Sequence, residues 1–279
     1  MISMALNLMY ITNNSQVALI AEKYGVDRIW IDLETLGKEE RQKGMNTVKS
    51  KHSIDDIVKI QPVLSVSELM VRVNPWNVAS IKEIDDVIKA GADIVMLPMW
   101  KSVKEVQEFL HCVGGRVRTS LLLETKEAVE CLDEVLKLSH IDEIHIGLND
   151  LHLSYGLTFM FELLANGTVE KLCEKIKLAG IPYGFGGIAK IGEGMLPAEK
   201  IIMEHYRLGS TRAILSRSFC NAEEIRNNAE IEKVFSTNME ILRNFEKQVD
   251  EMPVEELEEN KRVVETLVQH IVNIKRNGL

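Results

Sequence analysis

Short apolar runs alternate with amphipathic segments over the first 220 residues of the chain. The apolar runs are continuous rather than alternating, which is typical of parallel strands buried on both faces. Glycine or proline stands near the ends of most segments and marks the turns between them. The predicted strands are 5–12, 28–32, 68–75, 93–99, 116–124, 141–147, 181–187 and 212–219.

The segments between the strands have helical spacing, except for residues 33–51, which are polar and lack a period. We interpret 33–51 as a long loop. Eight strand–helix alternations in about 220 residues predict a (β/α)8 TIM barrel, and a doubly wound open sheet is the alternative. The predicted helices are 15–24, 53–64, 81–90, 103–113, 125–138, 160–164, 168–177 and 198–208.

After residue 220 the pattern changes to two long helices separated at Pro253. Leu257, Val264 and Ile271 recur every seven residues, and such a stripe requires a surface to pack against. That surface is either the outside of the barrel or a second subunit, and we expect a homo-oligomer. The predicted organisation is a catalytic barrel over 1–220 and a helical extension over 221–279.

Composition narrows the class of protein. The 279 residues are 46% hydrophobic and 27% charged, with a formal net charge of −9, which argues against a nucleic-acid or anionic-membrane partner. Four cysteines lie far apart without a CxxC pattern, which indicates reduced thiols in a cytoplasmic protein. The apolar N-terminus is too short to span a bilayer and fits a first strand.

Candidate chemistry lies at the strand ends, where barrel enzymes hold their active sites. Glu124 and Asp150 end two consecutive strands, and either acid alone could be a turn residue or a helix cap. Together, on neighbouring strands of one sheet, they predict a site for a hard divalent cation, Mg²⁺ or Mn²⁺.

Arg72 lies between two valines, so its guanidinium needs an anion nearby. The anion is either a neighbouring acid such as Asp32 or the oxygen on which negative charge develops during a reaction. His145 is expected to be a core histidine and His152 a loop histidine. Other candidates also lie at strand ends, where they could contact the substrate or simply form salt bridges and turns. They are Glu34, Asn74, Pro98, Gly147, Gly186, Gly187, Ser216 and Arg217.

Five blocks of sequence resemble the 2-keto-3-deoxy sugar acid aldolase and citrate lyase β-subunit family, within the phosphoenolpyruvate/pyruvate-type barrels. The resemblance spans roughly residues 5–220. It implies a (β/α)8 barrel, a divalent metal and cleavage of a carbon–carbon bond next to a 2-oxo acid or acyl thioester. The blocks are IDLE (31–34), VRVNP (71–75), GADIVMLPM (91–99), LLLET (121–125) and GLNDL (147–151).

The resemblance also implies roles for individual residues. Glu124 and Asp150 correspond to metal ligands, and Arg72 to the residue that stabilises the enolate oxygen. Asp32 matches an acid near the general base and its water. The backbone after Gly147, which includes Asn149, resembles a cradle for the pyruvate carboxylate.

The chain departs from the family's sequence pattern at three positions. The aldolases usually read Asp-Gly-Glu-His on strand 2, whereas here Thr35 replaces the histidine that acts as general base. Leu122 stands in place of a glutamine and Asn149 in place of an alanine. His52, on the loop after strand 2, and Glu34 are the candidate substitutes for the missing base.

Three functions remain open from the sequence. The first is a metal-dependent aldolase that cleaves a 2-oxo acid, through a pyruvate enolate, from an aldehyde or sugar. The second is a citryl- or malyl-thioester lyase. The third is a barrel that binds a 2-oxo acid without catalysis, because the base is missing.

Overall fold

The computed structural model of the protein describes residues 5–37, 52–225 and 227–277. Within these residues, eight parallel strands form a closed barrel in which each strand pairs with its sequence neighbours and β8 returns to β1. The (β/α)8 barrel with C-terminal helices is therefore confirmed, and the open sheet is wrong. The strands are β1 Asn7–Ile11, β2 Arg28–Asp32, β3 Glu68–Arg72, β4 Ile94–Leu97, β5 Arg118–Leu123, β6 Glu143–Ile146, β7 Tyr183–Ile188 and β8 Arg212–Leu215.

Most helices follow the sequence prediction closely. The predicted helix 125–138 is instead two short helices that meet at Cys131, and part of the predicted loop, 38–51, lies outside the described residues. The described helices are α1 Ser15–Lys23, α2 Ile54–Ile60, α3 Ser80–Ala90, α4 Val103–Val113, α5 Lys126–Glu130, α6 Leu132–Val135, α7 Leu148–Ser154, α8 Glu162–Ala165, α9 Thr168–Leu178, α10 Ala198–Leu208, α11 Asn228–Asp250 and α12 Val254–Asn277.

Local chemistry explains several of these boundaries. Ser53 and Asp56 form a reciprocal capping box at the start of α2. Gly91 ends α3 at φ 107°, in the left-handed region that glycine adopts without strain. Within the described residues, no helix is both long and apolar enough to cross a lipid bilayer.

Alternation along the strands divides the core into two parts. Side chains on one face of each strand pack between the barrel and its helices. Side chains on the other face fill the barrel interior, where the apolar members are Met9, Trp30, Met70, Ile94, Met96 and Leu122.

The interior is layered along the barrel axis, as the opposed strands β2 and β6 show. Arg28 on β2 and Glu143 on β6 bond directly across the barrel, with Nη1 2.7 Å from both carboxylate oxygens. Because the side-chain period of a strand is two residues, the next inward-facing side chains are Trp30 and His145. The layer after that, at the carboxyl ends of the strands, begins with Asp32.

The bottom layer is an ionic network at the amino ends of the strands. Arg212 Nε lies 2.9 Å from Glu143 Oε2, and Arg28 Nε lies 3.0 Å from Glu68 Oε2. Arg118 pairs with the other oxygen of Glu68. Arg28 and Glu143 are buried at the centre of this network and satisfy each other there, which a buried ion pair requires, whereas Glu68 and Arg118 are partly exposed.

The two C-terminal helices pack on the outside of the barrel. Helix α11 contacts α1 and α10, and α12 contacts α10 and α8. Val264 and Ile271 of the predicted stripe are buried, whereas Leu257 is partly exposed. The stripe therefore has a partner surface within the chain, while the division into domains and the subunit contact stay predictions.

We predict that Glu143→Gln lowers the free energy of unfolding by about 3 kcal/mol, because it removes the carboxylate shared by Arg28 and Arg212 and leaves Arg28 with Glu68 alone. Burial by itself raises the pKa of Glu143. The positive charges of Arg28 and Arg212 lower the pKa by a larger amount, so it lies below the ordinary value. The ionised form therefore stabilises the fold above about pH 4, and this contribution falls away at lower pH. Denaturant unfolding of both proteins at neutral and acidic pH measures the difference.

The matched control is Asp133→Asn, which removes an exposed carboxylate paired with Lys175. It should change the free energy of unfolding by less than about 1 kcal/mol. Equal stability of Glu143→Gln and the unsubstituted protein would contradict the role of the network.

Candidate active site

A cavity of about 460 Å³ opens at the carboxyl ends of the strands. This is the end of the barrel at which the sequence predicts the site. The structure does not place Glu34, Asn74 or Pro98 on the cavity wall; Glu34 and Pro98 are buried, and Asn74 is partly buried. The predicted site residues that line the cavity are Asp32, His52, Arg72, Glu124, Gly147, Asn149, Asp150, Gly186, Gly187, Ser216 and Arg217.

The carboxylate of Glu124 is held from two sides. The backbone N–H of Met99 donates a 3.1 Å hydrogen bond to Oε1. Met99 has φ 53°, an unusual conformation for a residue with a side chain, directly at this hydrogen bond. On the other side a Cβ at Gly147 would lie 2.8 Å from Oε2, so only glycine allows this close approach.

Asp150 lies in the first turn of α7, directly after Gly147, and is 9% exposed. Burial raises the pKa of Glu124 above its usual value, and the negative charge of Asp150 raises it further. The two carboxyl groups are therefore close enough to repel each other when both are ionised.

Arg72 ends β3 and faces the same cavity. Its Nε and Nη2 bond to the two oxygens of Asp32 at 2.8 Å each, and Nη2 lies 3.4 Å from Glu34. The guanidinium also lies 5.3 Å from the ring centre of Trp30. Burial lowers the pKa of Arg72, but the charges of Asp32 and Glu34 outweigh it and raise the pKa overall.

Arg72 thus makes the salt bridge that was one of its two predicted roles. It also presents a fixed positive charge to the cavity, and its charge lowers the pKa of Glu124, in opposition to burial and Asp150. The geometry is compatible with both roles at once, because the bidentate bond to Asp32 fixes the orientation of the guanidinium.

Negative charge exceeds positive charge in this part of the site. Among the described residues, no group of three or more histidine, cysteine, aspartate or glutamate side chains could hold a metal ion. Mg²⁺ typically takes one or two protein carboxylates and completes its coordination with water and substrate, so a carboxylate pair fits its chemistry. The four buried acids that accompany Arg72 are Asp32, Glu34, Glu124 and Asp150.

His52 and Thr35, the two positions that bear on the missing base, both take part in hydrogen bonds. The backbone N–H of Asp32 donates to His52 Nδ1 at 3.0 Å, so a neutral His52 carries its hydrogen on Nε2. To accept a proton at Nδ1, His52 would have to give up this bond. Thr35 is exposed, and its backbone N–H donates to Asn74 Oδ1 at 2.9 Å.

Several residues of the cavity were missed from the sequence. Trp30 and His145 belong to its floor, and the turn after β1 contributes Asn13 and Asn14. The turn could have been found, because Asn13 and Asn14 follow a strand end like the other candidates. The inward direction of Trp30 follows from Asp32 by the two-residue period.

A family model described as HpcH/HpaI aldolase/citrate lyase matches residues 7–162 of the chain. The chain belongs to this family. The match extends from β1 into α8 and so includes Arg72, Glu124 and Asp150, whereas Ser216 and Arg217 lie beyond it. The resemblance inferred from the sequence is confirmed at the level of the family.

Solved structures of the HpcH/HpaI type share the fold at low identity. An HpcH/HpaI aldolase from Desulfitobacterium hafniense DCB-2 has a TM-score of 0.61 and 14% identity, over 89% of this chain and 94% of that chain. An HpcH/HpaI aldolase/citrate lyase family protein from Burkholderia cenocepacia J2315 has a TM-score of 0.57 and 13% identity, over 78% of this chain and 91% of that chain. A variant of the citrate synthase SbnG has a TM-score of 0.56 and 13% identity, over 86% of this chain and 94% of that chain.

At these identities the structural likeness establishes the barrel alone. No curated protein sequence matches the chain. Membership of the HpcH/HpaI family makes the chain a lyase- or aldolase-type enzyme, and the family generally uses a metal. The substrate, the identity of any metal and the roles of single residues do not follow from membership.

We predict that Glu124→Gln raises the melting temperature by a few degrees in the presence of a chelator at neutral pH. The folded chain raises the pKa of Glu124, so ionisation of this residue opposes folding as the pH rises above the value in the unfolded chain. The advantage of the variant should therefore shrink as the pH falls toward about 4. Thermal unfolding between acidic and neutral pH measures it.

Asp133→Asn is again the control, because Asp133 is an exposed acid and should give no such pH-dependent gain. A lower melting temperature for Glu124→Gln at every pH would contradict the crowding of carboxylates.

Proposed function

We propose that the protein is a divalent-cation-dependent carbon–carbon lyase of the aldolase type that acts on a 2-oxo acid. The observation that carries the proposal is the fixed guanidinium of Arg72 beside the buried carboxylates of Glu124 and Asp150 in one cavity. Membership of the HpcH/HpaI family supports the lyase class. The metal, Mg²⁺ or Mn²⁺, and the pyruvate chemistry are part of the proposal.

Glu124 and Asp150 would hold the cation, which when bound balances the excess carboxylate charge and polarises the substrate. In cleavage, the bond between C3 and C4 of the substrate breaks, and its electron pair passes to the 2-oxo acid fragment as an enolate. The C4 hydroxyl loses its proton and C4 becomes an aldehyde. Protonation at C3 then yields pyruvate or a substituted 2-oxo acid.

Arg72 would lower the barrier by placing positive charge where the enolate oxygen becomes negative. Its contribution depends on preorganisation. Two 2.8 Å bonds to Asp32 hold the guanidinium in place, so it does not have to reorient during the reaction. Gly147 and Asn149 line the wall next to the carboxylates, where we place the substrate carboxylate.

Glu34 is our choice for the proton acceptor; because it does not line the cavity, it would receive the proton through a bridging water. Asp32 already accepts two charged hydrogen bonds from Arg72, which disfavours its protonation. His52 accepts from the backbone at Nδ1. Glu34 contacts Arg72 at 3.4 Å, a longer contact than either bond to Asp32, so its carboxylate is the less committed of the two to the guanidinium.

A barrel that binds a 2-oxo acid without catalysis is the second candidate. The observation that favours it is Thr35, which stands at the position of the family's histidine base. Its backbone N–H bonds to Asn74. A citryl- or malyl-thioester lyase ranks lower, since the described part of the cavity wall combines one exposed arginine, Arg217, with several acids. Coenzyme A thioesters should therefore be poorer substrates than free 2-oxo acids.

We predict that the protein exchanges the methyl protons of pyruvate with deuterium from solvent when Mg²⁺ or Mn²⁺ is present. Enolate formation is the half-reaction that the site should support. Chelator, Glu124→Gln and Asp150→Asn should each slow exchange by at least about 100-fold, because the charge that stabilises the enolate is lost. Proton NMR of pyruvate in D₂O measures the rate, and Asp133→Asn is the control.

Exchange that survives chelator and both substitutions would contradict the cation-dependent scheme. If exchange is absent while pyruvate and Mg²⁺ raise the melting temperature, the non-catalytic barrel is correct.

The proton acceptor gives a separate prediction for cleavage of a 4-hydroxy-2-oxo acid. Glu34→Gln should lower kcat by about 100-fold or more, whereas His52→Asn should lower it less than about tenfold. Coupled detection of the pyruvate released measures both. The reverse order of effects would assign the role to His52 and contradict the choice of Glu34.

A further inference from the structure

The floor of the cavity contains two polar side chains that the proposed mechanism does not use. Trp30 and His145 are each 1% exposed, and both line the cavity. Directly beneath them Arg28 and Glu143 bond across the barrel, so the next inward-facing residues on the same two strands face each other across its centre. Trp30 and His145 are therefore opposed on the floor, under Arg72 and Glu124.

The nitrogen atoms of this pair have unused hydrogen-bonding capacity. Within the part of the chain that the structure describes, Trp30 Nε1 and both ring nitrogens of His145 make no hydrogen bond of normal geometry. The backbone of Gly186, which also lines the cavity, acts on His145 as a weak hydrogen-bond acceptor and raises its pKa, in opposition to burial. Burying such groups without a full partner costs stability, so the indole N–H and the acceptor nitrogen of the imidazole point to a ligand that completes both.

The chemistry of the two side chains restricts what that ligand can be. Burial lowers the pKa of His145 to about 4, so the imidazole is neutral at physiological pH. An indole is a donor only, and a neutral imidazole offers one donor and one acceptor. A hydroxyl group matches both, because its oxygen accepts from the indole while its hydrogen is donated to the imidazole.

An anion fits the floor less well than a hydroxyl group does. Neither Trp30 nor His145 carries a charge that could balance an anion, and the rim above already holds Glu124 and Asp150. A cation would lack an anionic partner on the floor itself. An uncharged oxygen leaves none of these groups with an uncompensated charge.

We propose that the indole N–H of Trp30 and the imidazole of His145 form a hydroxyl-binding pair on the floor of the cavity, which selects ligands that carry a hydroxyl group. The assignment of that ligand as a hydroxylated 2-oxo acid rests on the proposed function. The pair itself rests on burial, position and donor chemistry. Its consequence is a preference for sugar-derived acids over unsubstituted acyl chains.

The test compares two six-carbon acids, gluconate and hexanoate, which differ in their hydroxyl groups and lack the bond that an aldolase cleaves. Dissociation constants are measured by calorimetry with Mg²⁺ for the unsubstituted protein, Trp30→Phe and His145→Phe. Both substitutions keep an aromatic ring and remove the nitrogen. Each should weaken gluconate binding about tenfold, the loss expected for one hydrogen bond, and leave hexanoate within about twofold.

Met70→Leu is the matched control. Met70 pairs with Trp30 in register and belongs to the same interior cluster, but it does not line the cavity. It should leave both dissociation constants unchanged. Equal weakening of both acids by His145→Phe, no change for either acid, or no binding of gluconate to the unsubstituted protein would overturn the pair.

Thermal unfolding without ligand separates binding from a structural role. Because neither ring nitrogen of His145 makes a hydrogen bond of normal geometry to the described residues, His145→Phe should keep or raise the melting temperature. A fall of several degrees would show a structural histidine and overturn the proposal. Neither measurement involves turnover, so failure of pyruvate exchange would reject the proposed function without deciding whether the pair binds a hydroxyl group.

Discussion

The bidentate bond between Arg72 and Asp32 is the interaction on which the upper end of the barrel depends. The two residues pair in register on β3 and β2, so the bond joins neighbouring strands where they enter the cavity. Breaking a buried pair of this kind leaves a charge without compensation, which costs far more than an exposed salt bridge. Because Asp32 neutralises part of the guanidinium and fixes its direction, Arg72 can lie among the other acids as a rigid cation.

The two ends of the barrel use charge in opposite ways. At the bottom, Arg28 and Arg212 share the carboxylate of Glu143, and the network satisfies itself. At the top, the negative charges of Glu124 and Asp150 exceed the positive charge that Arg72 supplies. Burial of these acids is therefore unfavourable until a ligand binds. Barrel enzymes separate stability and chemistry along their axis in this manner.

The sequence predicted the barrel because continuous apolar runs define buried strands, and strand ends then located Arg72 and Glu124. Asp150 and His152, expected at a strand end and in a loop, lie in helix α7. The sequence could not predict the break at Cys131, which lies in a segment with uninterrupted helical spacing. The left-handed backbone of Met99 left no signal either, since methionine rarely adopts it. Contacts such as Arg28 with Glu143 join residues 115 positions apart, and only barrel closure brings them together.

Replacement of the family histidine by Thr35 changes more than one side chain. The hydrogen bonds that hold this turn run from Thr35 and Leu36 to Asn74, and from Asp32 to His52, so the end of β2 is fixed to β3 and to the start of the next segment. A base in this turn must ionise and move little, which a carboxylate beside a guanidinium does more readily than an imidazole whose Nδ1 already accepts. This rigidity supports our proposal that an acid, Glu34, takes the place of the usual base.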